Sequence, residues 1–161
     1  MNENPSSRSA RDRSQEAGKF IAKPMPKPEG LNAEFYRECA SGRLCFQRCD
    51  ECGSWRHLPR YLCASCGSAA FSWTESSGRG RIFSWTVTHQ AAHPAFSADT
   101  PFAIVVVEME EGVRLVSDLP GVAPDSLALD LPVEVFLESL SSEIGLPHFR
   151  LRTELEDGVS C

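Results

Sequence analysis

Two paired-cysteine knuckles, followed by a series of short alternating β segments with little helical periodicity, predict a mainly β protein. Its expected parts are a short N-terminal helix, a metal-stapled ribbon and a five-stranded barrel. The chain of 161 residues is long enough for one sizeable core or for one modest core plus a stapled minidomain. The strongest single signal is Cys49-Asp50-Glu51-Cys52-Gly53 answered by Cys63-Ala64-Ser65-Cys66-Gly67. Two CxxC pairs at this separation bring four thiolates onto one ion. The glycine after each pair takes the positive φ that the chain needs to turn beneath the metal.

Charge is unevenly spread. Residues 1–30 carry six Lys/Arg against four Asp/Glu, and the remaining residues carry ten against eighteen, or −8. A polynucleotide-binding face has to be net basic, so this balance weighs against nucleic acid. No run approaches the roughly 18 apolar residues of a membrane span, and the N-terminus lacks the apolar core of a secretory signal. The chain is therefore expected in the cytoplasm, without a membrane partner. Paired CxxC motifs mean metal more often than disulfide there.

Residues 1–30 read as a flexible arm, with Lys23-Pro24-Met25-Pro26-Lys27-Pro28 favouring extended polyproline-like backbone. In a sharper reading, Phe20, Ile21 and Met25 dock onto a partner subunit. Asn32 is placed to cap a short helix within residues 31–42, with Glu34 in its first turn, Phe35 and Cys39 on its apolar side, and Ser41-Gly42 as its stop.

The ribbon is assigned to residues 43–70, beginning with a strand at Arg43–Arg48 that enters the first knuckle. Cys45 lies four residues before Cys49 but is expected to be a small buried residue, because Cys49, Cys52, Cys63 and Cys66 already fill a tetrahedral site. A short hairpin is expected between the knuckles. His57 sits at knuckle spacing from neither pair and reads as an exposed histidine or one hydrogen-bonded near the metal. Four thiolates leave no position open for water, so the metal is structural. Zinc is the expected ion, and iron is the alternative that colour would reveal.

The barrel is assigned to residues 71–155 and a tail to 156–161. A short strand around Phe71 and Trp73 bridges into it. Arg81–His89 alternates, with Phe83, Trp85 and Val87 on one face and Ile82, Ser84, Thr86 and Thr88 on the other. A loop holds His89, His93 and Phe96. A hairpin follows at Phe102–Glu110 and Val113–Leu119, turning at Glu111-Gly112, then a turn at Ser126–Asp130 and strands at Pro132–Glu138 and Pro147–Thr153. Five short strands with a long loop after the first fit an OB-fold most simply, with a sandwich as the alternative.

The succession RLCFQRCDECGSWRHLPRYLCASCGS, GRGRIFSWTVTH, PFAIVVVEMEEGVRLVSDL, LPVEVFLES and LPHFR resembles the family of OB-fold proteins with an N-terminal rubredoxin-like zinc ribbon. The resemblance covers residues 31–153. It implies a non-catalytic accessory subunit in a hetero-oligomer, bound to a thiolase-like or lipid-transfer-protein-like catalytic subunit that acts on acyl-CoA. The residues agree that no catalytic set is present: Ser139, Ser141 and Ser142 have no His/Asp pattern near them, and GRG at 78–80 reads as a bend. For a CoA thioester, Arg56, Arg60, Arg79 and Arg81 are candidates for the phosphates and Trp55, Tyr61 and Phe96 for the adenine, in a groove between ribbon and barrel. The competing account makes these arginines surface ion pairs. Two other functions compete: a single-stranded nucleic-acid-binding module, a role ribbons and OB-folds share elsewhere, and an enzyme using His89 and His93, which Pro94 disfavours by keeping them off a common helix.

Overall fold

The computed structural model describes residues 22–152. Phe20 and Ile21, the end of the last predicted strand at Thr153, and the tail lie outside the described residues.

Helix α1 spans Leu31–Ala40 and buries Phe35 and Cys39. Its N-cap is Gly30 rather than Asn32: the Ala33 amide donates to the Gly30 carbonyl at 3.0 Å, and Gly30 has φ 55°. A left-handed residue is needed where the proline-rich segment turns into the helix, and glycine takes that conformation at little cost. Glu34 accepts a hydrogen bond from Trp73 Nε1 at 2.8 Å, tying the helix to the ribbon. Ser41 ends the helix, and Gly42 has φ 84°.

The ribbon is a three-stranded antiparallel sheet of β1 (Cys45–Cys49), β2 (Trp55–Arg56) and β3 (Phe71–Glu75), ordered β2-β1-β3. Two expectations change. The hairpin lies across the first knuckle, between β1 and β2, because Trp55 and Arg56 pair with Arg48 and Gln47, and residues 57–62 form no strand. The Phe71/Trp73 strand pairs with β1 along its full length, Cys45 opposite Glu75 and Cys49 opposite Phe71, so it is hydrogen-bonded into the ribbon.

Five antiparallel strands form the second sheet: β4 (Arg79–Thr88), β5 (Phe102–Met109), β6 (Arg114–Asp118), β7 (Pro132–Ser139) and β8 (Gly145–Leu151), ordered β6-β5-β4-β7-β8. The end strands meet through side chains, with Ser117 Oγ donating to the Pro147 carbonyl at 2.5 Å and His148 Nδ1 facing Asp118 Oδ1. The architecture is OB-like, as expected. The register of β4 shifts between Ile82 and Ser84. This bulge breaks the simple alternation: Gly80 and Ile82 point inward before it, Trp85 and Val87 are half-buried after it, and Phe83 is left exposed beneath the Arg114 guanidinium. The predicted turn at Ser126–Asp130 is a 3-10 turn at Pro124–Ser126.

One apolar cluster runs through both parts. Phe35, Leu44 and Phe46 from the helix and ribbon join Ile82, Val105, Val107, Val133 and Phe149 from the barrel. The helix closes over the barrel at Gly145, where an added Cβ would lie 2.3 Å from the Ala40 nitrogen and the Cys39 carbonyl carbon. Burying one shared cluster leaves ribbon, helix and barrel as a single packing unit.

Candidate functional site: metal clip and ribbon groove

The two knuckles are built alike. The Gly53 amide donates to the Cys49 carbonyl and the Gly67 amide to the Cys63 carbonyl, each at 2.9 Å, with φ 73° and 76° at the two glycines. This repeated turn brings the sulfurs of Cys49, Cys52, Cys63 and Cys66 within 4.8 Å of one another. Cys49–Cys66 and Cys52–Cys63 are both 3.6 Å apart. A zinc ion about 2.3 Å from each of four sulfurs sets them about 3.8 Å apart, so the cage fits a tetrahedral metal.

Local dipoles favour the thiolate at two of the four cysteines. Cys52 is held below the ordinary thiol value by the Ser54 hydroxyl and amide, and Cys63 is lowered to about 6 by the amides of Cys66 and Ser65. At Cys66 the Ser68 amide favours the thiolate, but the hydrogen bonds to Cys52 and Cys49 prevail and raise it to about 12. Thiolates this close repel one another, and a divalent cation relieves the repulsion. Burial pushes Cys39 and Cys45 the other way, to about 12 and about 11. Cys45 is buried beside Glu38, outside the cage, as expected.

His57 overturns its expectation. Its ring lies 5.2 Å from those of both Phe35 and Phe46, and burial lowers it to about 4. It is a wedge between helix and ribbon rather than an exposed side chain or one bonded near the metal.

The candidate CoA residues fall in several places. Around the ribbon loop at 57–60 run two adjoining grooves that share His57, Leu58, Arg60 and Arg114. The larger, of about 790 Å³, lies between ribbon and barrel and includes Phe35, Tyr36, Asp118 and His148. The smaller, of about 430 Å³, includes Trp55 and Arg56. Arg60 is exposed at both grooves, whereas Arg56 is only 6% exposed. Tyr61 is 70% exposed beside Leu58 and Leu62, which are 65% and 59% exposed. The rest lie apart. Arg79 pairs with Glu110 at 3.2 Å, Arg81 donates to the Asp130 carbonyl at 3.0 Å, and Phe96 stacks beneath Lys23, which pairs with Asp99 at 2.7 Å. This last contact lays the described end of the arm along the barrel. His89 and His93 are exposed, and His93 Nδ1 accepts from the Ala95 amide.

The sequence carries no site signal for Arg114, Asp118 or His148, and for Tyr36 only a place on the apolar side of the helix. They come from α1, β6 and β8, which meet only in the fold, and none sits in a local motif.

Two family models divide the chain within β3. Residues 37–72 match the family model described as ChsH2, rubredoxin-like zinc ribbon domain, and residues 73–137 match ChsH2, C-terminal OB-fold domain. A solved structure titled "Ltp2-ChsH2(DUF35) aldolase" superposes with a TM-score of 0.72 at 36% identity, covering 79% of this chain and 98% of that one. The chain belongs to the ChsH2 zinc-ribbon and OB-fold family. Among relatives, a probable enoyl-CoA hydratase alpha subunit of Thermomonospora curvata is 37% identical over 128 residues, 80% of this chain and 40% of that protein. A DUF35 domain-containing scaffold protein of Methanocaldococcus jannaschii is 26% identical over 97 residues, 60% of this chain and 68% of that protein. The chain thus spans well under half of the hydratase subunit. Among the described residues, no helix is long and apolar enough to cross a membrane.

Proposed function

We propose that this ChsH2-family chain is a non-catalytic accessory subunit of a complex that acts on acyl-CoA. It helps to hold the CoA thioester and stabilises a thiolase-like or lipid-transfer-protein-like catalytic subunit. The observation that carries the reading is the groove of about 790 Å³ between ribbon and barrel, lined in part by the exposed Leu58, with exposed Tyr61 and Leu62 following it in the same loop. A concave, largely apolar channel beside exposed apolar residues suits a ligand shared with a second protein. The relatives, named as a hydratase alpha subunit, a scaffold protein and an aldolase complex, support the same reading. So does the four-thiolate cage, whose sulfurs are all committed to one metal and which staples the ribbon that forms one side of the groove.

Arg60 and Arg114 line both grooves and are the cations proposed for the CoA phosphates, with Arg114 also facing Glu108 at 3.7 Å, and Trp55 lines the smaller groove. Zinc is the proposed metal. The acidic balance of residues 31–161 gives the nucleic-acid alternative no support. Calorimetric titration with CoA, on the chain alone and with its catalytic subunit, tests the ligand. Binding that weakens about tenfold in Arg60→Ala is expected, the loss of one charge-assisted contact. Absence of heat in both settings, with the partner's KM for acyl-CoA unchanged by Arg60→Ala, refutes it.

A further inference from the structure

Beneath the ribbon loop lies a group of buried donors, Arg56 among them, that the CoA contacts proposed at Arg60 and Arg114 leave unused. Gln47 and Arg56 are cross-strand neighbours on β1 and β2, 0% and 6% exposed. Both grip the same residue: the Arg60 amide donates to Gln47 Oε1 at 2.8 Å, and Arg56 Nη1 donates to the Arg60 carbonyl at 3.2 Å. Arg56 Nε, Arg56 Nη2 and Gln47 Nε2 have no hydrogen-bond partner among the described residues and almost no contact with solvent. Nε and Nη2 form one edge of the guanidinium, the edge that presents two parallel N–H bonds to an oxyanion. One face of the same group is covered by the Phe71 ring at 5.2 Å.

We infer that Arg56 and Gln47 form a carboxylate-binding site capped by residues 57–62. Every unpartnered atom of Gln47 and Arg56 is a donor, so the ligand they take must be an acceptor. A planar carboxylate matches both the guanidinium edge and its single charge. A phosphate dianion would bring a surplus charge into a site with one buried cation. The cap is lightly held. Among the described residues, no backbone-to-backbone hydrogen bond involves 57–62, and the two bonds to Arg60 supply its polar anchorage. Lifting Arg60 uncovers the donors toward the groove lined by Trp55, Arg56 and Arg60. The acid side chain of a protein docked at this loop, with Leu58, Tyr61 and Leu62 exposed around it, supplies such a group in a dry setting. The site stands independently of CoA.

The test is NMR of the zinc-loaded full chain, following the Arg56 Nε–H and Gln47 carboxamide signals during titration with sodium acetate and, separately, inorganic phosphate at constant ionic strength. Saturable movement of both signals with acetate, ahead of phosphate, is the expected result. Arg56→Lys, which keeps the charge but loses the edge, is expected to lose the response of the Gln47 carboxamide at unchanged zinc content. If Arg56→Lys fails to fold, the wild-type titration decides alone. Signals that acetate leaves unmoved, or that phosphate saturates first, overturn the assignment.

Discussion

His57 should make the protein acid-sensitive in a defined window. Its ring is wedged between Phe35 and Phe46, and burial lowers it to about 4 from an ordinary 6.5. The unfolded chain therefore binds a proton at higher pH than the folded chain does. The stability due to the neutral ring is fully present above about pH 6.5 and is lost as the pH falls toward 4. Integrating between pH 7.5 and pH 5 gives a loss of about 2 kcal/mol. With a urea dependence of about 2 kcal/mol per molar, the wild-type midpoint should fall by about 1 M between these pH values from this group alone. His57→Leu keeps an apolar wedge without the titration, so its midpoint should fall by about 1 M less. Zinc content measured in parallel accounts for protonation of the thiolates, which both proteins share. Equal pH dependence of the two proteins, at equal zinc content, would refute the wedge account of His57.

Three further outcomes follow from the packing and the clip. Gly145→Ala places a methyl against the backbone of α1 at Cys39 and Ala40, with no flexible side chain to give way. Overpacking of this kind costs about 1–3 kcal/mol, so thermal melting should show a midpoint several degrees lower at unchanged zinc content. Cys63→Ser removes one cage ligand and should abolish stoichiometric zinc, soluble yield and partner binding together; a folded, partner-competent variant would contradict the staple role. Phe46→Ala empties a fully buried position shared by ribbon and barrel and should cost about 3–5 kcal/mol. Its denaturation should remain one transition by near-UV circular dichroism and by zinc release, and separate transitions would show that ribbon and barrel do not share a core.

The metal cage and the strand sequence were readable because both are local. CxxC-Gly fixes a turn within five residues, and the segments that became β5 to β8 declare themselves by runs of apolar and β-branched residues bounded by turn residues such as Glu111-Gly112. What was not readable depends on partners distant in sequence. Phe71–Glu75 looks like any short strand until β1 is beside it. The β4 bulge at Phe83 is invisible to a pattern of period two. Gly30 rather than Asn32 caps the helix because the chain must turn there out of the proline segment. The largest misses lie in the site. Arg56 and His57 are polar types that mostly sit outside, yet the first knuckle folds β2 onto β1 and buries Arg56, while α1 closes over His57. The groove itself joins Tyr36, Asp118 and His148 from three elements, and no single stretch records their meeting.

Purification of the tagged full chain from its native cells, followed by an assay of the eluate for acyl-CoA-dependent activity, tests the accessory-subunit account most directly. The account predicts one catalytic subunit in fixed ratio, acyl-CoA-dependent activity in the eluate, and loss of both when Leu58 and Leu62 are changed to Glu. A chain that elutes alone as a stable monomer, or a partner retained without any acyl-CoA activity, would contradict it.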